Sequence, residues 1–362
     1  MVDLYKVLED FMRVPAVAGF EEQRRERIVE AFKQYCDDIE LDVMGNVIGT
    51  VGEGDRNVML AAHYDQLGFM IKHVNEDGYA SFDKVGGWDK RVVYGTRLKI
   101  WVGDGPEDYV IGTIAVKPAH LTEAKDRDKS PELKDMLIDL GAANKEEAEE
   151  WGVKSGTVCT PALELTKLGK GGDLIIAPAF DDICCVAAFI ETMDQLKRKP
   201  LKNLKIHFVA TVQEEIGIRG ATIAAYNLNP WAAIATDVTW AVSPNVKPCE
   251  AGGIELGKGP VIAVGANFTR ALWEIMETQA EKNNIPVQRE AVPSRSGTDA
   301  WAIQIERGGT ISGLIGIPNR YMHSPNEVIN LKDLKNLSSL LTYTLHGLEE
   351  SDLKHSIKVH KT

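Results

Sequence analysis

Long hydrophobic runs are missing from this chain. None approaches the ~18 apolar residues that a membrane-spanning helix needs, so no membrane partner is expected. Blocks of basic residues are missing too. Lys and Arg number 41 against 53 Asp and Glu, and the net charge is −12, so nucleic acid is not an expected partner. Cysteine is sparse and odd in number. Cys36, Cys159, Cys184, Cys185 and Cys249 are scattered, with no disulfide framework or metal knuckle among them. They read as small buried residues of a reduced, cytoplasmic protein. The first residues, MVDLYKVLEDFMRV, are amphipathic and acidic, unlike a secretory signal. Gly252-Gly253 and Gly257-Lys258-Gly259-Pro260 lack the setting of a phosphate-binding loop. There is no internal repeat.

What is there is enough apolar material for a large core, 44% of 362 residues, in one big domain or two smaller ones. Helical spacing marks residues 3–13, about 21–35 and 268–281, and a closing helix through Leu334, Leu337, Leu341 and Leu345. Residues 39–51 read as a hairpin around Met44-Gly45-Asn46. From Gln66 to about Cys159 the texture changes to short β-like runs broken by Gly, Asp and Pro. Residues 66–165 are therefore expected to form an inserted β-rich domain. The catalytic domain would then comprise 1–65 and 166–362. The polar tail from Ser351 is expected to fray.

Five apolar runs end in polar groups of metal-ligand type. NVMLAA leads to His63, with Asp65 two residues on. DLIIAP leads to Asp181, and LKIHFVATVQ to Glu214 and Glu215. PWAAIAT leads to Asp237, and GLIGI to a loop holding His323. Acids at the carboxyl edge of buried strands face the crevice where α/β proteins bind ligands. Each feature alone has an ordinary reading. Asp181-Asp182 could cap a helix, Asp237 could begin a turn, and His63 could be structural. Together, two imidazoles and three carboxylates suit Zn²⁺ or Co²⁺, whereas Ca²⁺ would want oxygen alone. Two divalent ions also balance the charge of Asp181, Glu215 and Asp237 better than one. One carboxylate would bridge them at roughly 3.5–4 Å. Glu214 is left over beside the ions, where a general base belongs. Asp65 could accept the second imidazole N–H of His63. His73, His120, His207, His346, His355 and His360 are given no role, and His207 should face away from the site.

These residues resemble a known family. His63-Tyr64-Asp65, Phe180-Asp181-Asp182, Glu214-Glu215-Ile216-Gly217, Asp237-Val238-Thr239, Gly297-Thr298-Asp299-Ala300 and Arg320-Tyr321-Met322-His323-Ser324-Pro325 look like motifs of the M42 metalloaminopeptidases, the tetrahedral aminopeptidases. Gly86-Gly87-Trp88 and the stretch Met136 to Gly141 match as well. The resemblance implies an α/β fold, a three-layer α/β/α metallopeptidase domain whose β-rich insertion makes dimer contacts. It implies His63 and Asp237 on one ion, Glu215 and His323 on the other, Asp181 bridging, and Glu214 shuttling protons. It further implies short peptides as substrates and a homo-oligomer, a dodecamer built from dimers. Two positions depart from the family pattern. Gln66 stands where Glu is usual, and Ile183 where Arg is frequent. Loss of the acid at Gln66 is expected to weaken recognition of a substrate ammonium. The alternatives are a glycoside hydrolase, since some relatives carry an endoglucanase label, and a non-catalytic assembly protein that keeps the fold.

Overall fold

The computed structural model describes residues 2–126 and 129–354. Its centre is an eight-stranded mixed sheet. The strand order is Asp38–Leu41, Val47–Val51, Leu204–Thr211, Arg56–His63, Ala232–Trp240, Ile311–Asn319, Val261–Gly265 and Gln288–Val292. The four middle members of this order that run from Leu204–Thr211 to Ile311–Asn319 are parallel. Parallel strands carry helices on both faces, which is why their sequences are nearly unbroken apolar runs. Alternation along each strand divides the core. Val58, Leu60, Ala62, Ile206 and Phe208 pack with the helices Leu4–Phe11, Glu22–Phe32, Ile183–Arg198, Arg270–Lys282 and Leu331–Glu350. Met59, Ala61, Val209 and Ala233 point the other way, onto Arg219–Leu228 and Asp299–Ile305. The result is a three-layer α/β/α body.

The stretch between Gly68 and Pro161 folds differently. Six strands, Gly68–Val74, Tyr79–Val85, Leu137–Asp139, Tyr109–Ala115, Arg97–Trp101 and Val158–Pro161, close into a small barrel. It has its own core, in which Phe69 stacks on Trp88 at 5.0 Å and meets Phe82 edge-on at 5.5 Å. The sequence pattern missed Leu137–Asp139 and Val158–Pro161, each too short to show a period.

Several expectations are corrected. The Asp173–Pro178 run, expected as one more strand of the main alternation, forms Leu174–Ala177 in a separate three-stranded sheet with Thr166–Lys167 and Glu327–Asn330. Asp237 does not follow its strand but lies within it, because pairing with Ile311–Asn319 continues to Trp240. After the Glu pair the chain enters a helix, Arg219–Leu228, with Gly217 just before it and Gly220 in its first turn. Asp182 sits at the N-cap position of Ile183–Arg198 but makes no capping bond. Cys249 is exposed and Cys36 half-buried, so only Cys159, Cys184 and Cys185 are the buried residues expected. Of the tail from Ser351, residues 355–362, with His355 and His360, lie outside the described residues. No helix among the described residues is long and apolar enough to cross a membrane.

Two measurements check this account. Phe208 is fully buried and packs edge-on against Phe189 at 5.5 Å between the strand and helix layers. Phe208→Ala is expected to cost about 3–5 kcal/mol, read from the denaturant midpoint at unchanged m-value. Burial pushes the Glu21 carboxyl from 4.5 up to about 7. The folded state thus keeps a proton that the unfolded chain has released, and stability falls as pH rises between those values. Glu21→Gln should match the parent near pH 4.5 and be more stable by on the order of 1–3 kcal/mol above pH 7. An unchanged pH slope of the melting temperature would remove this assignment.

Candidate metal centre

His63 is the last residue of the Arg56–His63 strand, in register with Thr211 of its parallel neighbour. Both chains leave the sheet there. After Thr211 the backbone turns sharply, with Gln213 in the left-handed region at φ 56°. Asp65, fully buried, sets that turn. Its Oδ1 accepts from the Glu214 N–H at 2.9 Å and its Oδ2 from the Glu215 N–H at 3.2 Å. His63 Nδ1 lies 3.2 Å from the Asp65 carbonyl and 3.5 Å from its Oδ1. Donation from Nδ1 to either leaves Nε2 free as a ligand. Asp65 therefore orients the imidazole and the Glu pair together.

Asp181 arrives from the small sheet, through Ala179 at φ 62°. His323 arrives on the loop after Ile311–Asn319 and is itself left-handed at φ 61°. Such backbone costs on the order of 1–3 kcal/mol per residue and needs support from its surroundings. Glu327 supplies it. Its Oε2 accepts from the Asp181 N–H at 3.0 Å and from Asn319 Nδ2 at 3.2 Å, and its Oε1 from the His323 N–H at 3.1 Å. The barrel closes over this corner at Gly87, where a Cβ would stand 2.9 Å from His323 Nδ1.

The side chains meet in two groups that share Asp181. His63 Nε2 is 3.0 Å from Asp181 Oδ1 and 3.9 Å from Asp237 Oδ1. His323 Nε2 is 3.3 Å from Asp181 Oδ2 and 3.7 Å from Glu215 Oε2. Within each trio the ligand atoms lie within 4.8 Å of one another. All five residues singled out in the sequence as ligands are thus brought together, with Glu214 and Asp65 beside them.

The electrostatics are those of a site short of positive charge. Among the described residues, the cations within 4 Å of Asp181, Glu215 and Asp237 are His63 and His323. Burial pushes Glu214, Glu215 and Asp237 well above the usual carboxylate range, and the Asp181 charge adds to this at Glu215 and Asp237. Burial also pushes Asp181 up, but hydrogen bonds from His323 and His63 outweigh it and hold the carboxyl low. Burial pulls His63 down, yet bonds to Asp181 and Asp65 raise it well above its ordinary value. Glu215 Oε1 is buried with no hydrogen-bond partner. An orphan oxygen among crowded acids and neutral-capable imidazoles fits divalent cations of the zinc and cobalt kind.

Sequence reasoning missed two acids. Glu327 lies two residues beyond the Pro325 that ended the recognised motif, and only its place next to an apolar strand hinted at burial. Asp299 was part of a quoted motif without a role. It is buried, accepts from Thr211 Oγ1 at 2.6 Å, and burial pushes it up to about 6. Gln66 turns its amide oxygen onto buried Arg24. The same guanidinium holds the carbonyls of Phe11, Val14 and Tyr64. Ile183 is core. His207 bonds Thr50 Oγ1 at 3.0 Å, away from the centre.

The chain as a whole is similar to known aminopeptidases. The M42 glutamyl aminopeptidase family profile matches residues 45–340. A lysyl aminopeptidase of Pyrococcus furiosus is 36% identical over 97% of this chain and 99% of its own length. Among solved structures, a TET aminopeptidase from a marine sediment archaeon of the Thaumarchaeota superposes with TM-score 0.88 at 31% identity, covering 94% of this chain and 95% of that one. A TET1 peptidase of Pyrococcus horikoshii that can assemble into a tetrahedron or a large octahedral shell superposes with TM-score 0.82 at 32% identity, covering 94% and 98%. With the profile spanning seven of the eight strands of the main sheet, the barrel and every residue of the acidic cluster, the chain belongs to the M42 family of aminopeptidases, hydrolases of peptide bonds.

Proposed function

We propose that the chain is a dinuclear metal-dependent aminopeptidase that removes N-terminal residues from short peptides. The observation that carries this is the Asp181 carboxylate, one oxygen turned to His63 and the other to His323. His63 and Asp237 would hold one ion, Glu215 and His323 the other, with Asp181 between them. Zn²⁺ or Co²⁺ in these places supplies Lewis-acid polarisation of the scissile carbonyl and acidifies a water.

The chain's own groups do the rest. Glu214 takes the proton from the attacking water and passes it to the leaving amine. Burial holds its carboxyl well above the usual carboxylate range, the direction that favours a group which must both take and return a proton. Asp65 holds the Glu214 and Glu215 amides so that one carboxylate can bind while the other works. Glu327 fixes the two backbone segments that bring in Asp181 and His323.

We further read residues 1–65 with 166–362 as the catalytic domain and 66–165 as an inserted unit that makes dimer contacts. The related shells support a self-compartmentalised homo-oligomer, a dodecamer, and the sparse, unpaired cysteines fit the cytoplasm.

Glu214→Gln is expected to retain its metal and lose turnover by about 10²–10⁴-fold. Metal analysis alongside kinetics on aminoacyl chromogenic substrates checks this, and a variant with full kcat would end the base assignment. Glu327→Ala touches no ion, yet should weaken metal affinity by about 10–100-fold. A competition titration with a metal indicator reads this directly. Chelation should abolish peptide hydrolysis, and added Zn²⁺ or Co²⁺ should restore it. Peptidase activity that survives complete metal removal would sink the dinuclear reading.

A further inference from the structure

The residues just after Asp181 are unused by the peptidase reading. The Ile183–Arg198 helix carries Cys184 and Cys185 in its first turn, both fully buried. Their sulfurs and a carboxylate oxygen of Asp182 lie within 4.8 Å of one another. Cys184 Sγ is 4.0 Å from Asp182 Oδ1. Asp182 caps nothing, and its Oδ2 is buried without a hydrogen-bond partner. A fully buried, unpaired carboxylate oxygen beside two sulfurs is an expensive arrangement to leave unfilled.

We propose that Asp182, Cys184 and Cys185 form a third cation site, selective for one thiophilic divalent ion such as Cd²⁺. Two thiolates and a carboxylate are a soft, compact donor set, whereas the neighbouring centre offers only imidazole nitrogen and carboxylate oxygen. Two sulfurs sharing one tetrahedral ion stand roughly 3.8 Å apart at the zinc–sulfur length of about 2.3 Å and farther apart around the larger Cd²⁺, and the present ligand atoms lie within 4.8 Å of one another. Binding displaces the thiol protons, so it strengthens as pH rises. The site is tied to the proposed dinuclear centre at two points. Asp182 follows Asp181 directly, and Cys185 Sγ lies 3.8 Å from the Asp237 carbonyl. Occupancy therefore slows peptide hydrolysis. That consequence rests on the peptidase reading, whereas the site itself does not.

The test uses zinc-loaded protein carrying Cys249→Ala, which removes the exposed thiol. Cd²⁺ is titrated in while the thiolate-to-cadmium charge-transfer absorption is followed in the ultraviolet. The expected result is a band that saturates at one added ion per chain. Cys184→Ala and Cys185→Ala should each abolish it, and Asp182→Asn should weaken binding about tenfold. Cys184→Ser and Cys185→Ser serve if the alanine variants do not fold, as judged by circular dichroism. Cadmium exchanged into the imidazole and carboxylate centre gives no thiolate band, so the two sites are read separately. No band in the folded parent, or a band undiminished in both cysteine variants, overturns the site. Hydrolysis slowed by Cd²⁺ in the parent and spared in the variants supports its coupling to Asp181. Equal slowing in both overturns that coupling.

Discussion

Crowded buried acid is the constraint on which the rest of this structure depends. Asp65, Asp181, Asp182, Glu215, Asp237, Asp299 and Glu327 converge, and among the described residues His63 and His323 are the cations within 4 Å of Asp181, Glu215 and Asp237. Carboxylates removed from water repel one another strongly and hold their protons, unless cations or directed N–H groups offset the charge. The chain uses both remedies. Asp65 and Glu327 are each satisfied by two backbone amides, and Thr211 bonds Asp299. Glu215 keeps an oxygen with no hydrogen-bond partner among the described residues.

The scaffold makes such crowding tolerable by sharing it among elements that cannot move apart. His63, the Glu pair and Asp237 come from adjacent parallel strands buried on both faces. Asp181 comes from a second sheet, locked by pairing of Leu174–Ala177 with Glu327–Asn330. Glu327 is in register with Ala177 there, so the strand that holds the bridging residue's segment also carries the acid that anchors it. Left-handed backbone at Ala179, Gln213 and His323 marks where the chain is bent to make these approaches. Strain of this kind at a site is offset by rigid surroundings.

Reading along the sequence recovered much of this, and the misses share a cause. Long periodic segments such as Leu331–Glu350 and the unbroken apolar strands were plain, because burial on one or both faces imposes a pattern. The barrel was visible as a change of texture, but not its closure, since Leu137–Asp139 is three residues long. Arg219–Leu228 was hidden by Gly217 just before it and Gly220 in its first turn. Asp237 looked like a strand end because an acid inside a buried strand runs against pattern, and only its neighbours at the site make it tolerable. Glu327 looked unremarkable, as its role lies in contacts across the fold.

By itself, the sequence determined which residue types could meet a metal and roughly which strands would carry them. Local pattern encodes burial, and burial next to a polar group is what an α/β site looks like along a chain. Tertiary structure alone decided that Asp181 stands between His63 and His323, 118 and 142 residues away along the chain. It also decided that Asp65 serves the distant Glu214 and Glu215 amides as much as an imidazole, and that Glu327 braces two loops. Those outcomes depend on register, turn geometry and the angle between two sheets. None of these has a local signature, because each is settled by the packing of segments far apart in sequence.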